Sequence, residues 1–138
     1  MDRDGKVLVI PCSGVGKVHG LLSRESAYLA VDELAPESTE VVCLALLVKG
    51  DEETVADVRA NPSIAIDGCG KDCAQKNIEL AGGDVAEAVQ VAKFLTKHRG
   101  TQPGDGSNLT DEGWAIAREI AESVVEQADQ LVSGRGVA

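Results

Sequence analysis

Short apolar runs alternate along this chain with stretches whose apolar residues recur at helical spacing. "KVLVI" (6–10) is β-branched, brief and closed by Pro11, which predicts a buried strand. After a glycine-bearing loop, Val18, Leu21, Leu22 and Leu29 mark a helical stripe through about residue 34, interrupted by Glu25 and stopped by Pro36. "TEVVCLALLVKG" (39–50) is apolar enough for a second strand from about Glu40, with no signal for its end. "DEETVADVRANP" then places acids in a first turn, Val55 and Val58 one turn apart, and Pro62 as a stop, which predicts a short surface helix.

"SIAID" (63–67) reads as another buried strand. A tight turn leads into a helix with Ala74, Ile78 and Ala81 on one face, closed by Gly82 and Gly83. Residues 85–95 satisfy helical spacing, but the established alternation favours a fourth strand at 86–91. The stretch 98–108 has loop composition. Thr110, Asp111 and Glu112 then open a long helix with Ala117, Ile120, Ala121, Val124, Ala128 and Leu131 on one face, ended by Gly134. The order predicts an α/β fold, a three-layer, mostly parallel Rossmann-like sheet of about four strands with helices on both faces. One domain over 1–138 is expected, with a cysteine-bearing core at 6–83 and a C-terminal helix at 110–133.

Composition narrows the partners. Apolar residues are 43% of the chain but aromatics only 2%, so Val, Leu, Ile and Ala must fill the interior. A net charge of −10 opposes association with phosphate backbones and anionic membranes, and three aromatic residues make a poor base-stacking platform. Neither nucleic acid nor a membrane is expected as a partner, and no protein partner is indicated. Met1 is followed by Asp2, Arg3 and Asp4, and the first apolar run is too short for a signal peptide or a span. A cytoplasmic location is the expectation, where thiols stay reduced and serve better as ligands or redox groups than as structural disulfides.

On this scheme Cys12 lies just past the first strand, Cys69 just past the third and Cys73 one helical turn later. Cys43 joins the same sheet edge if the second strand stops there. Four thiolates complete a tetrahedral zinc site, and sulfurs at i and i+4 of a helix start can turn toward one ion. Buried inert thiols and a redox pair are the competing readings of the same spacing. The loop "PCSGVGKVHG" is not a Walker loop, because Pro11 and Val18 stand where its first glycine and its hydroxyl belong. Nor is it a dinucleotide turn, since His19 takes the third glycine's place. Ser13, Gly14, Gly16 and Lys17 are candidates for holding a small anion at a helix amino end, against a plain tight turn. His19 and His98 are candidate extra ligands. Asp67 is expected to accept hydrogen bonds from the turn after its strand. No Ser/His/Asp or Cys/His/Asn set stands out.

"PCSGVGKVHG", "SRESAYLAVDEL", "CLALL" and "IAIDGCGKDCAQKNIELAGG" together resemble the DGC domain family of zinc-binding proteins, named for the triad that here is Asp67, Gly68 and Cys69. The likeness runs over roughly residues 6–83. It implies zinc held by Cys12, Cys43, Cys69 and Cys73, and it implies no particular reaction. Two functions follow as expectations: a small zinc-binding protein with a binding or metal-handling role, or a thiol-redox or zinc-dependent enzyme acting on a small anion or a disulfide at that edge. Four cysteines also permit an iron–sulfur cluster.

Overall fold

The computed structural model describes residues 5–12, 17–68 and 71–136. Four strands form one sheet: β1 (Val7–Pro11), β2 (Thr39–Val41), β3 (Pro62–Asp67) and β4 (Asp84–Gln90), in the order β2-β1-β3-β4 and parallel throughout. Val9 is paired with Val41 on one side and Ile64 on the other. β1 is buried along its whole length, as a central strand covered on both faces must be, and its continuous apolar sequence follows from that position.

Alternate strand residues feed two apolar layers. Val7, Val9, Ile64, Ile66 and Val89 point to one side, where Leu22 and Ala27 of α1 (Val18–Tyr28), Val91 of α5 (Val91–Lys97) and Ile116, Ile120 and Val124 of α6 (Asp111–Gly136) cover them. Leu8, Ile10 and Ala65 point to the other, against Leu47 of α2 (Leu44–Lys49), Val58 of α3 (Glu52–Ala60) and Ala74 and Ile78 of α4 (Cys73–Leu80). This is the three-layer α/β arrangement that the pattern predicts.

The differences from expectation are local. The first helix continues beyond Tyr28 as a π-helical stretch, Leu29–Leu34. Its buried side includes Ser23 and Ser26, whose hydroxyls donate to the carbonyls of Ile66 and Ser23, so polar residues stand where an apolar stripe was expected. β2 spans three residues and the apolar run after it is helical, forming α2. β4 occupies 84–90, and the run behind it turns into α5. The last helix reaches Gly136 rather than stopping at Gly134. No helix among the described residues is long and apolar enough to cross a membrane.

Candidate functional site

In a parallel sheet every strand-to-helix loop leaves from the carboxyl edge, and three of the four cysteines follow strand ends there. Cys12 is the first residue after β1, and its N–H donates to the Ile66 carbonyl at 2.7 Å, which holds that loop against β3. β2 ends at Val41 and Cys43 is the N-cap of α2, so the chain leaves the sheet where a thiol at this edge requires it to. The last register pairs are Val9 with Val41 and Pro11 with Ile66, so Cys43 and Cys12 follow the paired residues by two positions and one. Cys73 opens α4. Cys43 and Cys73 are exposed and Cys12 is half-buried, so core filling does not account for Cys43 or Cys73.

Cys69 lies outside the described residues. Among those described, no three His, Cys, Asp or Glu side chains come together as a metal-binding group. The cysteine donors at the edge are sulfurs, whose softness suits zinc and other thiophilic ions better than calcium or magnesium.

Asp67 organises the loop between β3 and α4. It is 2% exposed, and its Oδ1 and Oδ2 accept from the amides of Ala74 at 2.7 Å and Gln75 at 3.2 Å. These are orphan donors of a helix start, so Asp67 caps α4 from the neighbouring strand. The cap of ordinary position, Asp72, makes no side-chain bond to the helix; it sits in the left-handed region at φ 53°. Its Oδ1 accepts instead from Nε2 of Gln90, at the end of β4, at 2.8 Å. Burial pushes the Asp67 carboxyl up, partly offset by the two amides. Gly68 passes close to α1, where a Cβ would stand 3.1 Å from both the carbonyl carbon and oxygen of His19, so a side chain there would crowd that backbone.

Asp67 therefore has the hydrogen-bonding role expected of it, whereas Asp72 and Gln90 escaped the sequence reading. The available signal for Gln90 was its place at a strand's carboxyl end beside β3. Of the proposed anion loop, Ser13, Gly14 and Gly16 lie outside the described residues, and Lys17 is the exposed N-cap of α1. His98 is engaged away from the cysteines, its Nε2 2.6 Å from Oε2 of Glu119. That contact links the end of α5 to α6.

A parallel α/β sheet with Cys12, Cys43 and Cys73 following three adjacent strands defines a class of small, thiol-bearing α/β proteins. The model of the DGC domain matches residues 8–128, and the chain belongs to the DGC domain family. No curated protein and no solved structure matches it. The family match extends well beyond the 6–83 core that carries the resemblance in the sequence, and takes in β4, α5 and most of α6.

Proposed function

We propose that this protein binds zinc through Cys12, Cys43, Cys69 and Cys73 at the carboxyl edge of its sheet, in a metal-binding or metal-handling role. The supporting observation is that Cys12, Cys43 and Cys73 follow three strands that are adjacent in the sheet, with two of these thiols exposed to solvent. The exposed Cys43 and Cys73 gain little from packing, whereas a thiophilic ion would give both a purpose. When bound, zinc would supply a cross-link between the segments that follow these three strands.

The protein's own residues prepare that edge. The Asp67 cap fixes where α4 begins and hence where Cys73 stands, and Gln90 restrains Asp72 immediately before it. The bond from the Cys12 amide to Ile66 fixes the first loop. Ligand thiols must lose their protons, so zinc uptake releases protons and strengthens as pH rises.

The test is zinc retention and thiol protection in single variants. Cys69→Ser and Cys73→Ser are expected to lose zinc on gel filtration and to expose the remaining thiols to alkylation, while the zinc-loaded parent resists the reagent. Variants that retain full zinc and full protection would overturn the four-cysteine assignment.

A further inference from the structure

The chain has one tryptophan and one tyrosine, and both are exposed in the same groove. Trp114, in the first turn of α6, is 43% exposed and Tyr28, at the end of α1, is 46% exposed. With Leu29 they line a depression of about 390 Å³ whose remaining lining is Glu25, Asp32 and Glu33. Three carboxylates thus share the lining with two aromatic rings and a leucine. Among the described residues, none of the three has an ion-pair partner. The third aromatic, Phe94, already has Lys97 Nζ at 5.1 Å from its ring centre; among the described residues no cation lies over Tyr28 or Trp114.

Local backbone shape makes the groove. Leu29, Asp32 and Glu33 all lie on the π-helical stretch, and Tyr28 immediately precedes it. The wider winding changes which residues share a face, and such stretches recur at functional sites. Asp111 and Glu112 in the first turn of α6 add negative charge beside Trp114.

We propose that this groove docks a basic segment of a partner protein, with an arginine laid over Trp114 or Tyr28, its charge met by Glu25, Asp32 and Glu33, and an adjacent apolar side chain against Leu29. Charge complementarity selects this occupant. A guanidinium is the cation that both stacks on aromatic faces and pairs with carboxylates through its planar fork. An acidic or phosphorylated partner would meet three like charges, and an anionic membrane would be repelled in the same way. The site is independent of the cysteine edge, so its failure leaves the zinc reading intact.

Trp114, as the chain's single tryptophan, is a built-in reporter. The experiment titrates the full chain with a capped arginine–leucine–arginine tripeptide and follows tryptophan emission. The comparison peptide replaces each arginine by citrulline, which keeps the shape and removes the charge. The proposal expects a saturable change with the arginine peptide and none with the citrulline one. Neutralising these carboxylates with Glu25→Gln, Asp32→Asn and Glu33→Gln should weaken binding roughly tenfold. Tyr28→Ala, which leaves the charge untouched, should weaken it roughly two- to fivefold. A second acidic groove, lined by Glu122, Glu126 and Asp129, provides the control, and neutralising it should change binding less than about twofold. Absence of a saturable change, an equal response to citrulline, or equal losses from the two neutralised grooves would overturn the proposal. So would an emission change that depends on protein concentration without peptide, which would instead identify a second copy of the chain as the occupant.

Discussion

Asp67 must satisfy two helix amides with a carboxylate that has almost no contact with water, and its titration carries the consequence. Burial raises its pKa, so between the ordinary aspartate value and the raised native one the folded chain binds more protons than the unfolded chain. Over that window the Asp67 contribution to stability falls as pH rises, and it is largest below the ordinary value. In metal-free protein, the difference between the urea midpoints of the parent and Asp67→Asn should therefore shrink as pH is raised through the acid range. A difference that grows with pH would contradict the burial argument, because growth is the signature of a depressed carboxyl. The asparagine keeps only one acceptor for two amides, and where the difference between the midpoints is largest it should cost about 1–3 kcal/mol. Gly83 is a second sensitive position. A Cβ there would collide with Cγ1 of Val58 and lie 2.9 Å from Cγ2 of Ile78, where α3, α4 and the entry to β4 meet. Gly83→Ala should destabilise by about 1–3 kcal/mol through overpacking, read as a lowered urea midpoint with an unchanged slope.

At the scale of an element, α6 shows how local chemistry sets a boundary. Thr110 Oγ1 accepts from the Gly113 amide at 3.1 Å, and the Thr110 carbonyl accepts from the Trp114 amide at 2.9 Å. Thr110→Ala should cost about 1 kcal/mol. Gly113→Ala should cost more, since its Cβ would run into the Pro103 carbonyl oxygen; thermal melts of the two variants check the order. The cap, the helix and its buried Ala117, Ile120, Ala121, Val124 and Ala128 were legible in the sequence because polar cap and apolar period agree there. α2 was not. "LALLVK" is a continuous apolar run, and such a run carries no period that separates a strand from a helix. The same ambiguity surrounded residues 85–95, where β4 and α5 follow one another without a break; the alternation of elements identified the strand, while the helical spacing ran through the whole stretch without marking where the helix begins. The buried serines of α1 were hidden for the opposite reason, since their partners are carbonyls of the sheet or of the same helix rather than neighbours in an apolar pattern. At the candidate site, the positions of Cys12, Cys43 and Cys73 after strand ends were legible because a parallel sheet sends its loops to one edge. The Gln90–Asp72 contact was not, because it joins residues whose proximity depends on the β3–β4 register.

At the scale of the molecule, two apolar layers enclose the sheet and, among the described residues, neither contains a cysteine thiol at its centre, although Cys12 packs at the margin of one. The fold should therefore persist without metal. Zinc bound only by the native state adds stability by mass action, about 2.7 kcal/mol at a hundredfold excess over the dissociation constant. For a chain of this size, chelation should lower the melting temperature by roughly 10 °C while far-ultraviolet circular dichroism at room temperature stays unchanged. Loss of that spectrum on chelation would mean that the metal, rather than the layers, holds the sheet together. The central claim concerns the donor set itself, and zinc K-edge X-ray absorption of the loaded protein reads that set directly. A first shell of four sulfurs at about 2.3 Å is expected, reduced to three in Cys69→Ser where metal is retained. A first shell dominated by nitrogen or oxygen, or a reduced chain that takes up no zinc, would contradict it.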